Sequence, residues 1–402
     1  GYRYTVMVAT DWLDPARGAF PAWLRVLLTV LVPAAGAGLA GLLILAMRLG
    51  GEAHGVPAII RAVTTGNLSR LHKRYGAKSL LSMLVIASGG SAGPEGPIAE
   101  LGSGVGQAFV PAARLRRREQ PVLVGCGIAG AVAAIFNAPL GGVFFALEII
   151  LKDFGLSTAA ATVLAAVAGG AMARFFFGQA PAFGGIWSEH AGLGELPLFL
   201  LLGVACGLAS VALVRSVHFV SARLPARLRG RWYAPAAGGL LVGLIALAFP
   251  DVRGEGYEFI NAVVHSHNLS AWLWLLVVAK IVATSLTLGT GAPGGSFAPS
   301  LFVGAALGGA FAHLAGVVAG PETALTLRAY PLAAMAAMIA GVFQAPITGT
   351  LILFDITGGS YEVVLAALLA IAASSLVTSL MRSPSIYTAT LLGRDRKSTR
   401  LN

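Results

Sequence analysis

The composition of this 402-residue chain excludes an ordinary soluble domain. Hydrophobic residues make up 56% of the chain and charged residues only 11%, whereas a soluble domain carries about 25% charged residues. Lysine and arginine outnumber aspartate and glutamate by 28 to 17, which gives a formal net charge of +11. The basic residues gather in short loops, as in the cytoplasmic loops of membrane proteins, and lack the aromatic interleaving of a nucleic-acid interface. We therefore expect a membrane protein without a nucleic-acid partner.

Apolar runs follow one another along most of the chain and predict an all-helical membrane protein. Several runs are shorter than the roughly 20 residues that a helix needs to cross a bilayer. Short runs predict re-entrant or tilted helices that are buried within the protein. In chain order the runs cover about 21–49, 77–90, 97–111, 121–135, 138–152, 156–177, 195–214, 232–249, 270–288, 299–319, 331–343, 346–356 and 361–381.

The chain contains an internal duplication. The segment Gly93–Pro97 returns 202 residues later as Gly295–Pro299, and Asn137–Gly142 returns 207 residues later as Gln344–Gly349. Duplicated segments interrupted by glycine and proline indicate a substrate site near the bilayer midplane. We divide the chain into an N-terminal segment (1–20), a first transmembrane half (21–178), a linker (179–194), a second transmembrane half (195–393) and a polar tail (394–402).

Five prolines each open an apolar run after a small or aliphatic residue, and each predicts a helix start: Pro57, Pro97, Pro139, Pro299 and Pro346. A helix start inside the membrane offers free N–H groups and the positive end of the helix dipole to an anion. Residues 88–109 and 290–311, which contain the duplicated motif, include no lysine or arginine. The motif therefore predicts a site that holds a monovalent anion weakly enough to release it.

One acid, Glu95, lies within the first copy of the motif, and a second, Glu100, follows it. Ionised Glu95 would occupy the anion's own place at the helix start, and protonation or outward rotation would free that place. Glu95 is thus a candidate gate and proton carrier, and the alternative is an acidic residue that only caps its helix. Glu100 is a second candidate, because a carboxylate inside a membrane is functional by default. Five residues turn about 500° along a helix, so the two acids share a face poorly.

These motifs, together with the run Lys280–Gly289 and with Tyr387, resemble the CLC family of chloride channels and proton/chloride antiporters in order and spacing over about residues 21–393. The resemblance implies an all-α integral membrane protein of two inverted halves with tilted and re-entrant helices. It also implies a homodimer that lies in the lipid of a bacterial inner (plasma) membrane. The protein is expected not to be an enzyme. The resemblance further implies that the protein transports chloride and possibly protons. Bound chloride is the expected ligand, and no cofactor or metal is expected.

The same resemblance implies an anion site. The hydroxyl of Tyr387 and the backbone N–H groups of Ser296 and Phe297, with Gly96 beside them, hold the central anion, and Glu95 is the external gate. His54 stands where the family has a serine that faces the anion. Two interpretations stay open: the imidazole donates a hydrogen bond to the ion and makes permeation sensitive to pH, or it points away. Because of this replacement, fluoride or nitrate transport stays an alternative to chloride.

Other departures leave the mechanism open between a passive channel and a proton-coupled antiporter. Ile149 stands at the position of the family's internal proton-transfer glutamate, and isoleucine carries no proton. Glu148 and Asp355 are predicted to be structural anchors at the ends of their helices. Lys280 opens an apolar span and is predicted to be an interfacial anchor that extends to the membrane surface.

A pattern from another class of protein is also present. Gly89–Gly93 satisfies G-x-S-x-G, the nucleophile elbow of serine hydrolases, with Ser91 as the nucleophile. That motif requires a strand-to-helix turn and a positioned histidine, whereas this segment ends an apolar helix. An intramembrane serine hydrolase is therefore only a remote alternative.

Overall fold

The computed structural model describes residues 21–49, 55–68, 75–111, 116–117, 119–178, 193–225, 227–228, 230–265, 270–319, 329–358 and 361–391. His54, residues 1–20, most of the 179–194 linker and residues 394–402 lie outside the described residues. Regular structure in the described part is helical apart from one isolated β-bridge. The prediction of an all-α protein is confirmed.

The helices of the first half are, in chain order, α1 Ala22–Ala46, α2 Val56–Thr65, α3 Tyr75–Ala87, α4 Glu95–Ala108, α5 Gln120–Phe136, α6 Pro139–Phe144 and α7 Leu156–Phe177. A π-helix, Phe145–Leu151, continues directly from α6. The second half contains α8 Leu196–Arg223, α9 Tyr233–Ala248, α10 Tyr257–His265, α11 Trp272–Gly289, α12 Phe297–Ala319, α13 Ala329–Phe343, α14 Pro346–Ile356 and α15 Tyr361–Leu380, followed by the helical segment 386–391. Short 3₁₀ turns lie at Leu193–Glu195 and Pro250–Val252.

Both halves contain long and short apolar helices. Six helices of the described part are long and apolar enough to cross a membrane, and seven shorter apolar helices of 10–17 residues lie among them. The short helices α5 and α13 each lie between the two duplicated segments of their half, and all fifteen residues of α13 are buried. Short helices of this kind are stable at membrane depth only where protein surrounds them.

The five prolines stand at or near helix starts, as predicted. Pro139 and Pro346 are the first residues of α6 and α14. Pro57 is the second residue of α2, and Pro97 and Pro299 are the third residues of α4 and α12. In the first turn of a helix the missing N–H of proline removes no intrahelical hydrogen bond. The prolines thus set where each helix begins.

The two copies of the glycine-rich motif pair with each other. Gly93 N–H donates to the carbonyl of Gly295 at 2.9 Å, and Gly295 N–H donates back to the carbonyl of Gly93 at 2.8 Å, in an antiparallel bridge. Equivalent residues that exchange both bonds are related by a local two-fold axis that passes between them. The starts of α4 and α12 therefore meet at the centre of the molecule.

Glu148 and Asp355 join the two halves by a second reciprocal contact. The Glu148 carboxylate accepts hydrogen bonds from the N–H of Ile347 at 3.2 Å and from the N–H of Thr348 at 2.7 Å. Asp355 in turn accepts the N–H of Gly141 at 2.8 Å. At the C-terminal ends of their own helices, the helix dipole would disfavour the negative charge of both acids. Each acid instead lies at the start of the equivalent helix of the other half, where the dipole favours a negative charge, and both are structural anchors as predicted.

Repeat-related glycines bring neighbouring helices into backbone contact. A Cβ atom on Gly102 of α4 would lie 2.5 Å from the carbonyl oxygen of Gly127 on α5, and one on Gly304 of α12 would lie 2.6 Å from Cα of Met335 on α13. Small residues allow this close approach of helices where no hydrophobic effect drives their association. These contacts fix α4 and α12 against the buried helices behind them.

Candidate functional site

Glu95 reaches from the first half into the start of a helix of the second half. It is the first residue of α4, and its side chain is fully buried. One carboxylate oxygen, Oε1, accepts the N–H of Phe297 and the N–H of Ala298, the latter at 2.9 Å. Both donors belong to the first turn of α12, whose N–H groups have no intrahelical partner. The carboxyl group of Glu95 thus occupies the positive end of α12.

The second carboxylate oxygen of Glu95, Oε2, is buried and accepts no hydrogen bond from any described residue. A buried acceptor without a donor is unfavourable by about 1–3 kcal/mol. The carboxylate is therefore held by one oxygen only. This arrangement stabilises the Glu95 side chain at the start of α12 and still allows it to leave.

Two glycines make the space for this carboxylate, and a third lies beside them. A Cβ atom on Gly93 would lie 2.6 Å from Cδ of Glu95, and one on Gly295 would lie 2.6 Å from its Oε1. Gly96 is buried beside them, and a Cβ atom there would lie 3.5 Å from Cα of Gly295. The glycines of the motif are thus required by the side chain that lies between them, because any larger residue at 93 or 295 would overlap it.

Tyr387, Ser296 and Phe297 come together beside this carboxylate. Tyr387 belongs to the helical segment 386–391, and both it and Ser296 are buried. The Tyr387 hydroxyl interacts electrostatically with the Ser296 side chain and with Glu95. The structure thus gathers four of the residues named from the sequence into one buried group.

Aromatic rings pack around Phe297, beside this buried group. The Phe297 ring lies 5.2 Å from that of Phe136, 6.2 Å from that of Phe145 and 5.4 Å from that of Phe343, measured between centroids. Phe343 in turn lies 5.1 Å from the ring of Tyr387. Hydrogen bonds and charges act more strongly in such a low-dielectric environment than in water. The rings thus strengthen the hold of the α12 start on an anion.

Glu100 lies at a different helix start. Its side chain is 2% exposed, and its Oε1 accepts the N–H of Gly55 at 2.6 Å. Gly55 is the residue that precedes α2, with a φ of 67°. A separation of five residues predicts that Glu95 and Glu100 share a face of α4 poorly, and the two carboxylates bind two different helices.

Ile149, where the family resemblance implies an internal proton carrier, has apolar surroundings. Ile149 lies in the π-helix Phe145–Leu151 and is 4% exposed, in the same hydrophobic core as Val56 and Ile59 of α2. It contributes packing and no titratable group.

The prediction for Lys280 was wrong. Lys280 is fully buried in the middle of α11. Its ammonium donates to the carbonyl oxygens of Val252 at 2.9 Å and Gly254 at 3.1 Å, and it lies 4.6 Å from the centroid of the Phe302 ring. Two carbonyl acceptors and a cation–π contact replace water around the charge, so the side chain does not extend to a membrane surface.

Ser91 has the surroundings of a packing residue. Its side chain is fully buried, and its hydroxyl lies 3.0 Å from that of Thr284, while its N–H donates to the hydroxyl of Thr287 at 3.1 Å. A nucleophile elbow presents its serine to a histidine. The hydroxyls of α11 take that place here.

The sequence motifs do not single out two residues that act on these carboxylates, Ala298 and Lys78. Ala298 donates the second N–H to Glu95, which follows from counting the free N–H groups of a first helical turn. Lys78 lies 202 residues before Lys280, at the spacing of the duplication, and is 4% exposed. That spacing is readable in the sequence. Within the described residues no three His, Cys, Asp or Glu side chains gather as metal ligands.

Comparisons with known proteins place this geometry in context. A family model described as voltage gated chloride channel matches residues 35–379. The putative chloride channel protein ClcB-like of Ralstonia nicotianae is 32% identical over 399 residues, which cover 95% of this chain and 88% of that protein. The H(+)/Cl(−) exchange transporter ClcA of Vibrio cholerae serotype O1 is 30% identical over 401 residues, which cover 98% of this chain and 84% of the transporter.

Solved structures share the fold. The crystal structure of a slow cyanobacterial Cl−/H+ antiporter matches with a TM-score of 0.82 at 22% identity, covering 100% of this chain and 95% of that one. A CLC-type fluoride/proton antiporter matches with a TM-score of 0.65 at 20% identity, covering 92% of this chain and 99% of that one. At these identities the likeness shows a common helical architecture.

Proposed function

The chain belongs to the family of voltage-gated chloride channels, and from this premise we propose that it moves chloride across a membrane past the start of α12, with Glu95 as the gate. One observation carries the proposal. The Glu95 carboxylate is itself a monovalent anion, and the N–H groups of Phe297 and Ala298 hold it at that helix start. Chloride accepts the same hydrogen bonds when the carboxylate is displaced.

The chemistry of the proposed site suits an ion that must also leave. The N-terminus of a helix is equivalent to roughly half a positive charge, and residues 290–311 contain no lysine or arginine. Partial charges bind a monovalent anion weakly enough for conduction. In this proposal the hydroxyl of Tyr387 and the N–H groups of Ser296 and Phe297 complete the central site, and bound chloride is its ligand.

Protonation is the proposed opening step at Glu95. An ionised carboxylate forms charge-assisted hydrogen bonds with the backbone N–H groups, and these are about twice as strong as neutral ones. A proton on the carboxylate removes that advantage, so the side chain leaves and chloride takes its place. We therefore expect chloride flux to increase as the pH falls.

The test uses purified protein in liposomes with the same pH on both sides and an outward chloride gradient. Glu95→Gln keeps the size of the side chain but carries no charge. Glu258→Gln on α10 is the matched control, because it makes the same change at an exposed position. We expect wild-type and Glu258→Gln efflux to increase at low pH, and Glu95→Gln efflux to be independent of pH.

Two results would contradict this proposal. Absence of chloride efflux from wild-type protein, in liposomes where the protein is correctly inserted, would remove the proposed activity. Efflux from Glu95→Gln with the wild-type dependence on pH would remove Glu95 as the gate. Fluoride and nitrate are measured in the same liposomes, and a higher rate for either ion would replace chloride as the substrate.

We also infer the assembly and location of this integral membrane protein. The relatives from Ralstonia and Vibrio support a bacterial inner membrane, and the family resemblance supports a homodimer with one pathway in each subunit. Mass measurement of the protein in detergent, with the bound detergent counted separately, checks the dimer. A mass equal to one chain would refute it.

A further inference from the structure

Helix α4 carries two buried carboxylates that bind the starts of two different helices. Glu95 accepts N–H groups of α12, and Glu100 accepts the N–H of Gly55, which precedes α2. Five residues separate the acids, about 7.5 Å along the helix axis. The first half of the duplication thus concentrates two acids on one helix between two helix starts.

The second half lacks both acids. The residues 202 positions after Glu95 and Glu100 are Phe297 and Phe302. Phe302 is fully buried, and its ring stacks on that of Phe259 of α10 at 4.1 Å between centroids. An aromatic ring therefore fills, beside α10, the position that a carboxylate fills beside α2. Packing alone does not require an acid at this place in the fold.

A buried lysine accompanies each member of this pair. The ammonium of Lys280 lies 4.6 Å from the centre of the Phe302 ring. Its equivalent 202 residues earlier, Lys78 on α3, is 4% exposed and acts electrostatically on Glu100. The same cation therefore faces an uncharged ring in one half and an acid in the other.

The charge of Glu100 exceeds what its hydrogen bond requires. A glutamine at this position would accept the N–H of Gly55 equally well, without the several kcal/mol that desolvating an ionised group costs. A carboxylate buried at membrane depth is functional by default. Of the elements packed against α4, α3 contributes Lys78. Among the described side chains, the other titratable groups there are Cys126 of α5, exposed Arg61 of α2 and, sixteen residues beyond the start of α12, His313.

We propose that Glu100 is a second proton-binding residue of the pathway, balanced by Lys78 when ionised, and that it supplies the proton coupling that Ile149 cannot. A proton from water forms an O–H bond with the carboxylate, and the same bond breaks when the proton leaves toward Glu95 or returns to water. Because the two acids lie on different faces of α4, water must bridge them. This inference rests on the proposed chloride transport.

The experiment records chloride efflux and internal pH together in proteoliposomes that hold wild-type protein, Glu100→Gln or Glu258→Gln. We expect wild-type protein and Glu258→Gln to drive protons against their gradient as chloride flows. Glu100→Gln keeps the acceptor for Gly55, so it is expected to fold and to transport chloride. Its proton movement is expected to fall at least about tenfold, because no titratable group remains at this position.

The outcomes separate the two proposals. Proton movement by Glu100→Gln at the wild-type ratio to chloride would overturn the inference, and so would chloride flux without proton movement in wild-type protein. Either result leaves chloride transport in place, whereas absence of chloride flux in wild-type protein overturns the proposed function as well. A second variant, Lys78→Gln, removes the balancing cation. It is expected to move the pH of half-maximal proton transport upward, and an unchanged pH profile would contradict the role of Lys78.

Discussion

Gly93→Ala is expected to open the gate by steric displacement while leaving Glu95 itself unchanged. The new Cβ atom would lie 2.6 Å from Cδ of Glu95, about 1 Å inside the roughly 3.5–4.0 Å at which carbon atoms pack. The backbone of Gly93 does not have a positive φ, so alanine is compatible with its conformation. The conflict is with the end of a flexible side chain, and rotation of Glu95 away from α12 relieves it.

The size of the effect follows from the bonds that the displaced carboxylate loses. The N–H groups of Phe297 and Ala298 both donate to it, and a hydrogen bond to a charged group contributes about 1.5–3 kcal/mol. Loss of both disfavours the closed state by about 3–6 kcal/mol, which corresponds to a factor of about 10² to 10⁴ in the equilibrium. A gate that is mostly closed in wild-type protein at neutral pH would then be mostly open.

The assay is chloride efflux from liposomes as a function of pH. Gly93→Ala is expected to reach the rate of Glu95→Gln and to share its independence of pH. Gly76→Ala on α3 is the control, because a Cβ atom there would meet no atom within 4 Å. Size-exclusion elution of all variants verifies folding. Wild-type rate and pH dependence in folded Gly93→Ala, beside an open Glu95→Gln, would refute the steric argument.

Three further substitutions test the contacts that hold the fold. Thr348→Val removes the hydroxyl that donates to Glu148 at 2.6 Å and leaves the two N–H donors in place. We expect a loss of about 1.5–3 kcal/mol of stability, seen as a lower midpoint of thermal unfolding in detergent. An unchanged midpoint would show that this hydroxyl contributes nothing to the contact between the halves. Lys280→Met leaves two buried carbonyl groups without their donor, and we expect a loss of about 1–3 kcal/mol of stability for each. The midpoint of thermal unfolding measures this loss, and an unchanged midpoint is the result expected of an interfacial lysine. The Thr158 hydroxyl holds the pKa of exposed Asp153 below its ordinary value, so the stability it contributes is present at neutral pH and is lost as the pH falls from about 3.9 through that lowered pKa. Asp153→Asn should remove this part of the acid dependence of unfolding, and an identical acid profile would contradict it.

The duplicated motif shows how far local sequence reasoning reaches. Proline and glycine act through the backbone of their own neighbourhood, so the starts of α2, α4, α6, α12 and α14 were predictable. The spacing of 202 residues identified Gly93 and Gly295 as equivalents. It did not reveal that they hydrogen-bond to each other, because equivalence in sequence is compatible with any separation in space.

Lys280 shows where such reasoning fails. An apolar run that begins with a lysine looks the same whether the lysine lies at a membrane surface or against a second segment of the protein. The two carbonyl groups that accept from its ammonium, at residues 252 and 254, lie 28 and 26 residues away in the chain. The periodicity of apolar residues within α11 does not predict these two contacts.

The sequence by itself determined the helical membrane architecture, the duplication, the helix starts and the candidate acids, because each depends on composition or on the conformational limits of single residues. Only the tertiary structure decided which helix start each acid binds. Glu95 lies at α12 of the other half and Glu100 at the start of α2, although both stand on one helix. The choice depends on how the two halves meet at the Gly93–Gly295 bridge, and hydrogen bonds across that junction join residues that are about 200 positions apart.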